Sequence, residues 1–296
     1  MKTLITGANG FVARSLFQLI ADKEEQITRV DVGGAPDEGI ISCDLSSIGE
    51  TQAILERFRP QRIYNLVGSF SNDYAIDWKA NYLVTKNILD AVLEVGLAAR
   101  VLLLGSAAEY GVINKGDNPV SELHPLRPAS VYGFTKAMQT LLMNFYCSTK
   151  GMDLLMARPF NLYGRGISRK LFIGNVYSQL DMVMKGQAQT VVVGNLDARR
   201  DYIDIESAVR CLRLIIEKGN PGEVYNVGKG YSIRTYDLLE SILNEYGLDM
   251  NIVRTGAGNR TSEYDASDVF ADITKINALR DSPEDSVALT KPVPLS

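Results

Sequence analysis

A serine, a tyrosine and a lysine are the residues of this 296-residue chain best able to do chemistry together. Tyr132 and Lys136 stand four residues apart in Ser130-Val131-Tyr132-Gly133-Phe134-Thr135-Lys136, and Ser106 lies upstream at the end of an apolar run. Positions i and i+4 of a helix share a face, which brings the Lys136 ammonium near the Tyr132 phenol. A phenol with a pKa of about 10 is a poor acid or base at neutral pH. A neighbouring cation favours the phenolate and brings that value toward the working range.

A second group of residues supplies a partner for that trio. The chain opens Met1-Lys2-Thr3-Leu4-Ile5-Thr6-Gly7-Ala8-Asn9-Gly10-Phe11-Val12-Ala13, a short β-branched run leading into glycines and then into an amphipathic helix. Gly7 permits the tight strand-to-helix turn, and Gly10 leaves room for a pyrophosphate at the amide donors of the helix N-terminus. A second strand ends in Asp31, whose carboxylate is placed to accept from an adenosine ribose and repels a 2′-phosphate. NAD(H) is therefore expected in preference to NADP(H), with NADP(H) possible. Dinucleotide and trio together imply hydride transfer at a carbinol or ketone carbon. Ser106 would hydrogen-bond the carbonyl oxygen and Tyr132 would give its proton to the alkoxide. Lys136 would lower the tyrosine pKa and hold the nicotinamide ribose.

The elements that must position these groups alternate along the chain. Apolar runs predict strands at 3–6, 27–32, 40–42, 62–67, 100–105 and 154–158, with helices at 11–22, 49–59, 78–95 and 131–149. That alternation predicts right-handed crossovers and an α/β fold, a doubly wound parallel (Rossmann) sheet. Residues 1–162 plus 201–230 would form the dinucleotide-binding domain, and 163–200 plus 231–296 a smaller C-terminal substrate-binding lid. A hydrophobic content of 46% supports a sizeable core, and a net charge of −4 argues against non-specific nucleic-acid binding. No apolar run is long enough to span a bilayer, and Thr3-Leu4-Ile5 runs straight into the glycine turn, so neither a membrane anchor nor a signal peptide is expected. Cys43, Cys147 and Cys211 lack metal or redox spacing and suit a reduced cytoplasmic protein. The single histidine, His124, has no companion ligand, so a protein metal site is not expected.

The chain resembles the extended short-chain dehydrogenase/reductases, the family of nucleotide-sugar epimerases, dehydratases and reductases. The resemblance is carried by the glycine turn, Asp44-Leu45, Asn81 in Asn81-Tyr82-Leu83-Val84-Thr85, and Gly105-Ser106-Ala107-Ala108-Glu109-Tyr110-Gly111. It continues through the Tyr132/Lys136 pair, Arg158-Pro159-Phe160-Asn161, Arg200-Asp201-Tyr202-Ile203-Asp204 and Tyr225-Asn226-Val227-Gly228. Within the family, Gly194 to Asp201 and Arg260-Thr261-Ser262-Glu263 are most like the GDP-4-keto-6-deoxy-D-mannose reductases. The resemblance implies Ser106, Tyr132, Lys136 and Asn81 as catalytic residues, Asn81 supporting the helix and proton path behind Lys136. It implies Gly7, Gly10, Phe11, Val12, Asp31, Asp44, Leu45, Val67 and Gly68, with Tyr132 and Lys136, around the dinucleotide. Ser106, Asn161, Arg200, Arg260 and Glu263 would contact a nucleotide sugar, the guanidinium forks suiting diphosphate oxygens. It also implies a homodimer joined by a four-helix bundle of helices 78–95 and 131–149, although those apolar faces could equally serve only to cover the sheet. Related reductases carry a residue compatible with a 2′-phosphate where this chain has Asp31, so its cofactor choice departs from theirs.

An absence narrows the reaction. Dehydratases of the family place acidic residues one or two positions after the residue matching Ser106, and here those positions are Ala107 and Ala108. Glu109 is one position further on and, on an extended strand end, would project to the other face. Reduction of a 4-keto-6-deoxy nucleotide sugar is therefore expected. A nucleotide-sugar 4-epimerase with tightly bound NAD is the alternative, and a non-catalytic cofactor-binding regulator the remote one.

Overall fold

A computed structural model describes residues 1–22, 26–256 and 268–280. Arg260 and Glu263 of the expected substrate set lie outside the described residues. The first half runs β1 (Lys2–Thr6), α1 (Phe11–Ile20), β2 (Gln26–Asp31), β3 (Ile40–Ser42), α2 (Ile48–Phe58), β4 (Arg62–Asn65), α3 (Tyr74–Asp77), α4 (Val84–Glu94), β5 (Arg100–Leu104), α5 (Val131–Lys150) and β6 (Leu154–Pro159). It continues with β7 (Asn161–Tyr163), α6 (Phe172–Met184), β8 (Val191–Val193), β9 (Arg199–Arg200), β10 (Tyr202–Asp204), α7 (Ile205–Lys218) and β11 (Val224–Val227). Last come β12 (Ile233–Arg234), α8 (Thr235–Glu245), β13 (Val253–Thr255), β14 (Asp268–Val269) and α9 (Thr274–Asn277).

Seven strands form one parallel sheet in the order β11-β6-β5-β4-β1-β2-β3. Its central strands β1, β5 and β6 read as largely apolar runs because both faces are covered. Alternation sends Leu4, Val101 and Leu103 to one face, where they pack with Ile54, Ile88, Leu89 and Met143 of α2, α4 and α5. Ile5 and Leu102 go to the other, against Leu16, Ile20, Leu212 and Ile215 of α1 and α7. The strand order turns back between β1 and β4, which opens a crevice at their carboxyl ends, the usual ligand position in such sheets.

Two features depart from the expected outline. The helix expected over 78–95 is two joined pieces, a π-helical turn, Trp78–Leu83, and α4, and it continues back through α3 to Tyr74. Leu238, Leu239, Ile242 and Leu243 of α8 pack with Ile173, Val176 and Leu180 of α6 and with Val191 and Val193 of β8. Ile276 of α9, by contrast, is buried in the α1 and α7 cluster rather than in the lid.

Candidate active site

The carboxyl ends of β1, β2, β4 and β5 converge on one crevice, and each expected residue can be placed relative to it. Gly7 has φ +64, a left-handed conformation, and a Cβ there would lie 2.9 Å from the Val67 backbone nitrogen. The turn therefore rests directly on the chain leaving β4. Gly10 is the N-cap of α1, and Phe11 and Val12 follow as its first turn. Asp31 closes the same corner: Oδ2 accepts from the Asn9 N–H at 3.1 Å and Oδ1 from the Gly33 N–H at 3.3 Å. A carboxylate offers about four acceptor positions, so it can still receive a ribose hydroxyl. Arg29 lies over the Phe17 ring at 3.8 Å and bonds the Glu38 carbonyl, while Arg14 is 3.8 Å from the Glu38 carboxylate. Both guanidiniums near Asp31 are thus engaged with Glu38. Asp44 bonds the Ser46 hydroxyl at 2.6 Å and pairs with Lys79 at 3.4 Å; Ser46 first, then Lys79, holds its carboxyl below the usual range. Buried Leu45 presents its carbonyl to Thr51 and Asn87.

Ser106 follows β5 and caps a short 3-10 turn, 107–109, accepting from the Ala108 N–H at 3.1 Å. Helix α5 begins beside it, with Ser130 as N-cap accepting from the Gly133 N–H at 3.0 Å. Its first turns carry Tyr132, half-buried, and Lys136, which is 2% exposed. The Lys136 ammonium donates to the Leu104 carbonyl at 2.7 Å and to Gln139 Oε1 at 3.4 Å. A Cβ on Gly68 would lie 3.2 Å from that nitrogen and 3.2 Å from Asn81 Oδ1, so the chain past β4 is glycine where it meets the site. Asn81 sits on the π-helical turn. It accepts from the Ser69 N–H at 2.9 Å and donates to the Ser69 carbonyl and to Thr135 Oγ1, both at 2.9 Å, tying the β4 loop to α5.

Burial governs the electrostatics here. It pushes the Tyr132 phenol up to about 12, against the pull of its hydrogen bond with Ser106, and the carboxylates of Glu109 and Asp77 push the same way. The tyrosine is therefore shifted opposite to the direction expected from its lysine neighbour, because the ammonium is turned to Leu104 and desolvation dominates. Burial also draws Lys136 down to about 8, with Glu109 and Asp77 opposing. At neutral pH the pair stands as phenol and ammonium.

Asn161 opens β7, its N–H donating to the Asp201 carbonyl at 3.0 Å, and its side chain is exposed. Arg200 lies on β9 with Nη1 donating to the Arg199 carbonyl at 2.8 Å. Neither approaches the Ser106 turn through any hydrogen bond described.

Three residues of the site were not foreseen. Asp77 accepts from the Ser71 N–H, the Ser71 hydroxyl and the Asn72 N–H at 2.9, 2.7 and 2.9 Å; burial works upward on it, but these bonds hold it below the usual range. Asn72, at φ +59, turns its Oδ1 to the Tyr132 N–H at 3.3 Å. Phe70 meets the Tyr132 ring edge-on at 6.4 Å. The Ser71-Asn72-Asp73 run is a turn signal that could have marked this loop. Nor does Glu109 project from an extended strand: the 3-10 turn folds it inward, fully buried against Arg158 at 2.9 Å. Among the described residues no three or more His, Cys, Asp or Glu are grouped to hold a metal ion. No described helix is long and apolar enough to cross a membrane.

Residues 3–228 match the NAD dependent epimerase/dehydratase family. GDP-6-deoxy-D-mannose reductase of Pseudomonas aeruginosa is 26% identical over 268 residues, 88% of this chain and 86% of its own length. GDP-6-deoxy-D-talose 4-dehydrogenase of Aggregatibacter actinomycetemcomitans is 28% identical over 239 residues, 79% of this chain and 76% of its own. Among solved structures, RMD from Pseudomonas aeruginosa complexed with NADPH aligns with a TM-score of 0.81 at 22% identity, covering 94% of this chain and 91% of the other. Thermus thermophilus UDP-glucose 4-epimerase complexed with NAD aligns at 0.80 and 22%, covering 94% and 92%.

Proposed function

The chain belongs to the NAD dependent epimerase/dehydratase family, and from that premise we propose that it reduces a 4-keto-6-deoxy nucleotide sugar, GDP-linked, for deoxysugar supply. One observation supports the reading: Ser106 hydrogen-bonds Tyr132, with Lys136 one helical turn further on, while the turn after Ser106 carries Ala107 and Ala108, which cannot move a proton. Two relatives named for GDP-6-deoxy sugars support the substrate class.

The residues present fit a nicotinamide dinucleotide. Gly7 and Gly10 keep the N-terminus of α1 clear for a pyrophosphate, and Gly68 leaves Lys136 open toward the ribose. Asp31 favours NAD(H), with NADP(H) as the weaker alternative. When bound, the cofactor supplies a hydride. Ser106 donates to the keto oxygen, and Tyr132, held as a phenol by burial, gives that oxygen its proton. Lys136 orients the ribose and offsets the charge left on Tyr132. Asn81 keeps the β4 loop and α5 in register. Arg200 and Arg260 hold the nucleotide diphosphate, Asn161 contacts the diphosphate or sugar, and Glu263 contacts the nucleoside. Phe134, Leu141 and Phe145 of α5, 40%, 56% and 53% exposed, form a stripe that a second copy would cover, making the homodimer bundle with α4. Free thiols at Cys43, Cys147 and Cys211 suit the cytoplasm.

The test is turnover of GDP-4-keto-6-deoxy-D-mannose with NADH. Stoichiometric NADH loss and a cofactor that dialyses away support the reductase. Interconversion of 4-epimers with retained NAD and no net NADH loss supports the epimerase instead.

A further inference from the structure

We propose that Glu109 is a positioning residue that fixes Ser106 against the helix carrying Tyr132 and Lys136, with Arg158 as its buried counter-ion. This rests on the reading of that trio as the reacting set.

The carboxylate of Glu109 joins three elements. Oε1 accepts from the Ser106 N–H at 2.8 Å; Oε2 accepts from Arg158 Nε on β6 at 2.9 Å and from Thr140 Oγ1 on α5 at 2.5 Å. Thr140 lies about one turn beyond Lys136 and two beyond Tyr132, on the same helix face. The backbone is shaped to admit this contact. A Cβ on Gly105 would come 2.5 Å from Glu109 Oε1, and one on Gly133 would collide with the Ala108 carbonyl. Helix α5 therefore rests on the Ser106 turn right beside Tyr132, and Glu109 locks the two from behind.

The pair is expensive to keep for stability alone. Glu109 is 0% and Arg158 2% exposed, and apolar residues of similar volume often serve a core at least as well as such a pair. Arg158 also donates to the Tyr110 hydroxyl at 3.1 Å and to Thr140 at 3.1 Å, while Tyr110 donates to Asn226 at 2.6 Å. Burial works against the Arg158 charge, and Glu109 and Tyr110 restore it. Glu122 nearby holds the Asn226 N–H at 2.9 Å. Among the described residues, Glu109 is the charged group that bonds the Ser106 backbone directly.

Two double variants separate tether from charge. Glu109→Leu with Arg158→Met removes both; Glu109→Gln with Arg158→Met removes the charges but keeps an acceptor for Ser106. Neither leaves a buried ion unpaired. In the leucine pair, exchange of the Ser106 amide, read by NMR, should quicken at least about tenfold and kcat should fall at least about tenfold, KM and dinucleotide Kd staying within about twofold. In the glutamine pair both quantities should return to within about threefold of the native protein. Thr140→Val, which cuts the tie to α5 together with the Arg158 bond to the same hydroxyl and leaves the Ser106–Glu109 bond in place, should lower kcat by about threefold without raising KM and stands in if the leucine pair melts early. Unchanged exchange and kcat in the leucine pair would overturn the proposal, as would a glutamine pair that loses as much as the leucine pair. The exchange readout needs no substrate. A native protein that reduces no 4-keto sugar would sink the functional reading while the tether is still tested.

Discussion

Lys136 should make the protein less stable at neutral pH than at high pH, and replacing it isolates the effect. Its pKa falls from 10.5 to about 8 because burial disfavours the ammonium. At about 1.4 kcal/mol per pKa unit, that difference is a cost of about 3 kcal/mol when the group is charged in both folded and unfolded chains. The sign follows from proton counting. Between the two values the unfolded chain holds a proton that the folded chain has released, so stability rises with pH across that window. Lys136→Met abolishes the titration. It also leaves the Leu104 carbonyl and Gln139 Oε1 without their donor, a cost that does not change with pH. The useful quantity is therefore the difference between native and variant unfolding free energies, followed by denaturant titration. From about pH 7 to about pH 9.5 that difference should move by about 2 kcal/mol in favour of the native protein. Dinucleotide affinity should move the other way, weakening as pH rises through about 8 in the native protein and staying flat in the variant. Parallel stability curves would refute the claim that burial depresses this lysine, and flat native affinity would refute its role at the ribose.

Three further outcomes are expected. Tyr132→Phe keeps the ring against Phe70 but removes the acid, so kcat should fall about 10²- to 10⁴-fold with NAD(H) affinity little changed, measured by stopped-flow and fluorescence titration. NADH should bind more tightly than NADPH, because Asp31, in its proposed place at the adenosine ribose, would repel a 2′-phosphate while Arg14 and Arg29 are engaged with Glu38; tighter NADPH in a titration of both would discard the Asp31 assignment. Arg200→Ala should raise KM for the nucleotide sugar by a factor matching about 1.5–3 kcal/mol and leave cofactor binding alone; lost cofactor binding would mean that this arginine is in the wrong site.

The sheet was legible because its central strands β1, β5 and β6, buried on both faces, show as runs of apolar residues, and because glycine and serine punctuate the ends. β3, for example, spans the three residues expected. The π-helical turn was not legible: Trp78–Leu83 has the apolar spacing of an ordinary helix, and its extra residue per turn is set by Asp77 and Asn81 gripping the β4 loop. The trio was legible from the Tyr132/Lys136 spacing taken together with the glycine-rich first turn, but not its protonation, since no local pattern announces how deeply Lys136 is buried. Glu109 was misjudged for a similar reason. Its inward turn depends on Arg158, almost fifty positions away, and on Thr140 across α5.

The π-helical turn also bears on how this chain can change its length. An α-helix advances about 100° per residue, so removing one residue from Trp78–Leu83 would restore a regular helix while swinging everything before it by that angle. Ser71, Asn72 and Asp77 would swing together, and Asn72 would leave the Tyr132 N–H even though no side chain touching substrate had been altered. Single-residue deletions here should be purged more strictly than substitutions at the same positions. Changes of length should be tolerated in stretches outside Ser69–Leu83, where they do not become a change of phase.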